Sequence, residues 1–115
     1  MLCAMLVRRL REGKTLEDFR DAWFPDQGFG VSSRVLMARR VDNEREILTV
    51  GFVDLPRDQL DQGLQQVEAN EAIRHDRIAE VIESTVLTGI YEIVDDNDFS
   101  KEPQSLRPVG KGLLP

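Results

Sequence analysis

The stretch that decides the fold is Phe19-Arg20-Asp21-Ala22-Trp23. It lies between an apolar segment, Leu2 to Leu10, and a break rich in proline and glycine, Pro25 to Gly30. Phe19 and Trp23 are one helical turn apart, so both rings lie on the same face of a helix. A helix with one apolar face after an apolar strand is expected to cover a sheet. The pattern therefore predicts a layered α+β domain that begins with a strand and a helix.

This first helix also has a predicted beginning and end. Thr15 is a suitable N-cap, and Asp18, three residues later, completes a pattern that resembles a capping box. Pro25 disfavours helical backbone at Phe24, so the helix is expected to end there.

The second helical region is expected to open at Asp54 and to contain a break at Asn70. Its apolar residues repeat at helical spacing, which predicts one face turned toward the sheet. They form two groups: Leu60, Leu64 and Val67, then Ile73, Ile78 and Ile82.

Three further strands complete the predicted order. Ser33 to Val41 and Glu46 to Val53 flank a four-residue polar turn and predict a β-hairpin, and Val86 to Val94 is the last strand. The order strand, helix, strand, strand, helix, strand is that of the ferredoxin-like βαββαβ arrangement. We therefore expect a four-stranded antiparallel sheet with two helices on one face.

The strands carry apolar side chains on both faces. In the first strand Leu2, Ala4 and Leu6 alternate with Cys3, Met5 and Val7. Because two helices cover only one face, a large apolar surface would remain in water. A second copy of the chain is the simplest cover, which predicts a homodimer through the open face of the sheet, a dimeric α/β barrel. Residues 1–94 form the predicted domain, and the tail at 95–115 is expected to lie on the partner.

Composition restricts the partners and the compartment. The chain has 115 residues and a net charge of -6, and its surface is expected to repel nucleic acid and anionic membranes. A single cysteine, Cys3, excludes an internal disulfide and fits a reducing compartment.

The apolar start, Met1 to Val7, is too short for a signal peptide or a membrane span, so we expect a cytoplasmic protein. With one histidine and one cysteine, no metal site is expected.

The segment Arg11 to Trp23 resembles the first turn and helix of dimeric α/β-barrel proteins, among them the antibiotic-biosynthesis monooxygenase, haem-degrading monooxygenase, NIPSNAP and EthD-like groups. The resemblance covers about residues 1–94 and implies the same fold and dimer. EthD-like members place a histidine four residues after the tryptophan, where this chain has Gln27. Haem-degrading members use a strand asparagine near the start, and Met5 to Arg8 contains none.

His75 is the only histidine and the only candidate catalytic residue. It shares a predicted helix face with Ile78, Ala79 and Ile82, and its position resembles that of the axial histidine in haem-degrading members. An imidazole there would ligate haem iron or act as a general base. The alternative is a structural histidine that is hydrogen-bonded to Asp76 or Arg77. No cofactor is required by the sequence, and haem is the less favoured option.

Four other residues are candidates for ligand binding. Phe19, Trp23 and Tyr91 are expected to line a cavity between helices and sheet for a flat apolar molecule, or alternatively to fill the core. Arg34 is expected to anchor a carboxylate or phenolate, as is one arginine of each pair Arg8-Arg9 and Arg39-Arg40. The alternative for all of these arginines, which the sequence favours, is an ion pair with one of the abundant acidic residues or a place at the rim of the dimer interface.

Two functions follow from this sequence. The favoured one is a non-catalytic dimeric module that binds a small apolar or aromatic molecule. The alternative is an enzyme, a cofactor-independent monooxygenase-like oxidoreductase or a related cyclase or isomerase, in which His75 accepts a proton. The absence of a convergent set of polar residues in the sequence favours the binding module.

Overall fold

A computed structural model describes residues 1–26, 28, 33–55 and 57–113, except for the side chains at 57 and 67. The position of Gln27 and the end of the expected loop at Gly30 lie outside this part. The elements are β1 (Leu2–Leu10), α1 (Leu16–Trp23), β2 (Ser33–Arg40), β3 (Asn43–Val53), a 3-10 turn (Arg57–Gln59), α2 (Leu60–Ala79), β4 (Ile82–Glu92), β5 (Asn97–Asp98) and β6 (Gln104–Ser105).

The first four strands form one antiparallel sheet in the order β2-β3-β1-β4. Both helices lie on one face of it, because Phe19 of α1 and Ile78 of α2 are buried together against Leu10 and Ile47 of the sheet. The predicted α+β architecture of ferredoxin-like character is confirmed. The most tightly packed part of the core lies at this end of the sheet, where Phe19 and Ile47 are fully buried.

The ends of α1 agree with the prediction. The hydroxyl of Thr15 accepts the backbone N–H of Asp18 at 3.2 Å, and the Asp18 carboxylate accepts the backbone N–H of Thr15 at 2.9 Å. The hydrogen bond from the Thr15 backbone has the largest effect on the pKa of Asp18. Together with the bond to the Thr15 side chain, it holds this pKa below its ordinary value. At the other end Phe24 has extended backbone, as the following Pro25 requires.

The boundaries of the hairpin formed by β2 and β3 differ from the prediction. The expected four-residue turn between β2 and β3 is only Val41 and Asp42, since β3 begins at Asn43. At this end of the hairpin the Arg40 guanidinium lies 2.6 Å from a carboxylate oxygen of Asp42 and 3.0 Å from one of Glu46. Charged side chains that pair across the turn let polar residues extend the ladder.

The expected break at Asn70 is wrong, because α2 runs without interruption from Leu60 to Ala79. The helix then ends earlier than its apolar spacing suggests, and Ile82 is the first residue of β4, paired with Leu10. Arg11 accounts for this end: its side chain donates to the carbonyl oxygens of Ala79 and Ile82, both at 2.9 Å. A distant arginine thus satisfies the Ala79 carbonyl that the helix leaves open and also binds the first carbonyl of β4.

Gly63 lets a neighbouring segment approach α2 closely. A Cβ atom at this position would overlap the end of the Leu55 side chain. The glycine weakens the helix interior, and in exchange Leu55 packs directly on the helix backbone.

The tail folds back on its own chain. The backbone N–H of Ile93 donates to the carbonyl of Met1 at 3.1 Å, and the N–H of Gly110 donates to the Asp96 carboxylate at 3.0 Å. Gly110 is buried, and a Cβ there would lie 3.2 Å from the Met1 side chain. Val94 and Phe99 remain largely exposed, at 75% and 74%.

We expect Thr15→Ala to lower the free energy of unfolding by about 1 kcal/mol, because the N-cap oxygen of α1 is lost. Urea denaturation at neutral pH measures this. Thr15→Ser keeps the oxygen and is the matched control, with a change below about 0.5 kcal/mol. Equal losses in both variants would contradict a capping role.

Candidate functional site

The helix-facing side of the sheet is hollow between its two ends. Ala4 of β1 lies directly beside Gly51 of β3, so two small residues meet under the middle of α2. A Cβ atom at Gly51 would be 3.7 Å from Val35 and 4.0 Å from Ala4, which is ordinary contact. The site therefore has room for added atoms.

This hollow forms a cavity of about 70 Å³, which we name the inner cavity. It lies between the end of α1, the middle of α2 and the strands β1, β2 and β3. Its apolar wall consists of Ala4, Leu6, Trp23, Val35 and Val53. Its polar wall includes Thr49, Asn70, Glu71 and Arg74.

Three charged side chains meet beneath α2, and we name Arg8, Glu71 and Arg74 the buried triad. Arg8 and Arg74 are only 3% and 4% exposed. One oxygen of Glu71 accepts from Arg8 at 2.9 Å, and the other accepts from Arg74 at 3.4 Å. A single carboxylate thus serves two buried guanidinium groups.

Aromatic rings and backbone carbonyls complete the surroundings of the triad. The guanidinium of Arg8 lies 5.6 Å from the centre of the Phe19 ring, and that of Arg74 lies 5.8 Å from the Trp23 ring. Arg74 also donates to the backbone carbonyls of Trp23 and Asn70. Burial lowers the pKa of Arg74 from its ordinary value; Glu71 opposes this effect, and the nearby cations Arg8 and Arg77 add to it.

A larger space, which we name the outer groove, lies between α2 and β4 and has a volume of about 510 Å³. It shares Ala4, Leu6 and Glu71 with the inner cavity, so the two spaces adjoin. The volume is within the range of small-molecule sites. Its further apolar residues are Leu64, Ala72 and Ile90, and its polar residues include Glu68, His75, Asp76 and Thr88.

The structure brings some of the predicted residues to these spaces. Trp23 lines the inner cavity. His75 lines the outer groove, but it is exposed rather than set in an apolar wall. Phe19 is fully buried in the core, where it stacks on Trp23 with ring centres 6.4 Å apart.

Tyr91 and Arg34 lie on the opposite face of the sheet. Tyr91 follows Ile90, which faces the helices, and successive strand residues point to opposite sides. Arg34 likewise alternates with Val35, which lines the inner cavity. Phe19, Trp23 and Tyr91 therefore do not line one cavity, and Arg34 does not reach the site.

The arginine pairs separate as the strand geometry requires. Arg8 points to the helices, and Arg9 points to the other face, where it pairs with Glu46 at 3.3 Å. Arg40 pairs with Asp42 and Glu46, and Arg39 is exposed. One of these arginines, Arg8, is thus buried beside the candidate site.

Sequence reasoning missed Glu71 and Arg74. The first apolar group of α2, at Leu60, Leu64 and Val67, continues at alternating spacings of three and four residues through positions 71, 74 and 78. This spacing places the opposite charges of Glu71 and Arg74 in the stripe of α2 that faces the sheet. The prediction followed the apolar residues to Ile73 instead, which is 75% exposed.

In the part of the chain that the structure describes, no group of histidine, cysteine and carboxylate side chains is arranged to hold a metal ion. No described helix combines the length and the apolar character needed to cross a membrane.

Comparison with known proteins adds no relative. No family model matches the chain, and neither a curated protein nor a solved structure matches it. The resemblance of residues 11–23 to dimeric α/β-barrel proteins therefore stays an expectation.

We expect Glu71→Gln to destabilise the protein by about 2 kcal/mol, because two buried guanidinium groups lose their shared anion. The loss is no larger because the Glu71 side chain is itself 30% exposed. Thermal and urea unfolding measure the change. Glu44→Gln, the same substitution at an exposed residue of β3, should stay within about 0.5 kcal/mol. Similar values for both would show that the triad does not hold the helices to the sheet.

Proposed function

We propose that this protein is a non-catalytic module that binds a small apolar or aromatic molecule between α2 and the sheet. One observation carries the proposal: the outer groove has about 510 Å³ of space and adjoins the inner cavity. A volume of this size with an apolar floor is typical of a small-molecule site.

The arrangement of the polar groups favours binding over catalysis. The buried charges of the triad pair with one another, and His75 lies exposed at the groove. No hydrogen bond of the His75 imidazole is found among the described residues. A general base needs a partner that orients it, and a substrate proton within reach.

We also propose that two copies associate through the open face of the sheet. The exposed apolar residues there include Leu36, Leu87 and Tyr91, at 45%, 41% and 47%. Ten apolar side chains share this face: Cys3, Met5, Val7, Leu36, Ala38, Leu48, Val50, Phe52, Leu87 and Tyr91.

The overall dimensions support this assembly. The accessible surface is 8069 Å², whereas a monomer of 13.1 kDa typically exposes about 6400 Å². The radius of gyration is 15.6 Å, against about 13.4 Å for a compact chain of this length. The excess area is of the order that a stable dimer buries. A partner on the open face would leave the groove on the helix side accessible.

The first test of the binding proposal places a large side chain in the outer groove. We expect Ala72→Trp to weaken binding of toluene and benzamide by about tenfold or more, because the indole occupies the wall of the outer groove. Chemical-shift titration of the ¹⁵N-labelled protein gives the affinity and maps the residues that respond.

Ala69→Trp is the matched control, since Ala69 is also an exposed alanine of α2 but lies outside the outer groove. It should leave the affinity within about twofold of the original. Absence of any shift at Leu6, Glu71 and Ile90 at millimolar probe would remove the binding proposal. Dioxygen uptake with an aromatic substrate that His75→Gln abolishes would establish the enzymatic alternative instead.

The dimer is tested by a charge on the open face. We expect light scattering to give twice 13.1 kDa for the original protein and 13.1 kDa for Leu36→Glu, because the carboxylate would be desolvated between two sheets. Ile73→Glu places the same charge at an exposed apolar residue of α2 and should leave the dimer intact. A monomeric original protein at micromolar concentration would contradict the assembly.

A further inference from the structure

One buried hydroxyl group faces the inner cavity. Thr49 of β3 is only 3% exposed and lines this cavity. Its side chain makes no hydrogen bond with any described residue. Among the described residues, the fully enclosed side-chain atoms without partners belong to Arg8 and Arg9, so the Thr49 oxygen keeps a small accessible surface that opens to the cavity. Because buried polar groups are normally paired, this hydroxyl is suited to a partner inside the cavity.

The opposite wall of the inner cavity offers a second polar group. Asn70 of α2 lines this wall, and its side-chain amide also forms no hydrogen bond with a described residue. The bond that Arg74 donates to Asn70 goes to the backbone carbonyl. A threonine hydroxyl and an asparagine amide can each donate and accept. A ligand group that does both, such as a hydroxyl, matches the two of them.

The charged residues of the cavity wall disfavour an ionic ligand group. Glu71 accepts from both Arg8 and Arg74, and Arg74 also donates to backbone carbonyls, so these charges are engaged with one another and with the chain. An ammonium would enter beside two guanidinium groups, and a carboxylate would enter beside Glu71. Each would also lose its hydration. An uncharged polar group avoids both costs.

Strand register places Thr49 in a row of side chains that leads into the outer groove. Leu6 of β1 is paired with Thr49 of β3 on one side and with Thr88 of β4 on the other. Neighbouring strands lie about 4.8 Å apart, so Thr49 and Thr88 are about 10 Å apart across the sheet. Leu6 lines both spaces, and Thr88 lines the outer groove. A molecule that crosses Leu6 therefore reaches from the outer groove to Thr49.

We propose that the ligand of this site is an uncharged apolar or aromatic alcohol whose hydroxyl binds Thr49 and Asn70 in the inner cavity. This inference rests on the proposed function and names its ligand class. A cavity of about 70 Å³ is too small for an aromatic ring, because a cavity that holds benzene has about 150 Å³. The inner cavity has room for the hydroxyl end, and the apolar body lies in the outer groove across Leu6 and Ala4.

The test compares benzyl alcohol with ethylbenzene, which has the same shape and no hydroxyl. Both are titrated into the full chain, and binding is followed by the emission of Trp23, the only tryptophan and part of the inner cavity wall. We expect benzyl alcohol to bind about fivefold or more tightly than ethylbenzene. A groove without a polar contact would show the reverse order, because ethylbenzene is the more hydrophobic probe. Benzylamine, which carries an ammonium in place of the hydroxyl, should bind at least about tenfold more weakly than benzyl alcohol.

Thr49→Val replaces the hydroxyl by a methyl group of similar size. We expect the affinity for benzyl alcohol to fall about fivefold or more, while the affinity for ethylbenzene stays within about twofold. Thr49→Ser retains the hydroxyl and should keep the preference for benzyl alcohol. Thr85→Val, the same substitution at an exposed residue of β4 outside both spaces, should behave as the original protein does. An unchanged preference in Thr49→Val would contradict the proposed contact.

The side-chain amide of Asn70 gives a measurement that needs no variant. Its ¹⁵N–¹H resonances should shift with benzyl alcohol and change less with ethylbenzene. Ethylbenzene that binds as tightly as benzyl alcohol, or more tightly, would overturn the alcohol assignment and leave the binding function standing. If the Asn70 resonances also stay unchanged, the inner cavity holds ordered water only. Benzylamine that binds as tightly as benzyl alcohol would overturn the assignment of an uncharged ligand. Failure of all three probes to bind at millimolar concentration would overturn the binding function and the assignment with it.

Discussion

The structure depends on one carboxylate that is placed between two buried guanidinium groups. Glu71 of α2 contacts Arg8 of β1 and Arg74 of its own helix, and Arg74 in turn donates to the last residue of α1 through the Trp23 carbonyl. These bonds connect both helices to the centre of the sheet. Charges are expensive to bury, so a cluster of this kind restricts α2 to one position along the sheet.

The same cluster explains why the core is divided. At one end, large apolar residues such as Phe19 and Ile47 pack without space between them. In the middle, small residues of the sheet face polar residues of α2, and the layers do not interdigitate there. The inner cavity and the outer groove are the result. The part of the molecule that contributes least to packing is therefore the part where we propose that a ligand binds.

The two faces of the sheet have different chemistry. The helix side combines apolar residues with the triad, whereas the other side is apolar in its centre and has charged pairs such as Arg9 and Glu46 at one end. Strand alternation produces this division, because residues two apart share a face. The proposed ligand site and the proposed assembly surface thus lie on opposite faces of one small sheet.

The sequence by itself determined the order of the elements, because the signals for them are local: the capping pair Thr15 and Asp18, the stop at Pro25, and the alternation in the strands. It also placed Trp23 near a cleft. The end of α2 was decided by tertiary structure, through hydrogen bonds from Arg11 that span 68 and 71 residues of chain. The triad was decided in the same way, since Arg8 and Glu71 are 63 residues apart and spacing alone does not show which charges meet. Tyr91 and Arg34 were separated from the site by strand register, a property that only the assembled sheet has.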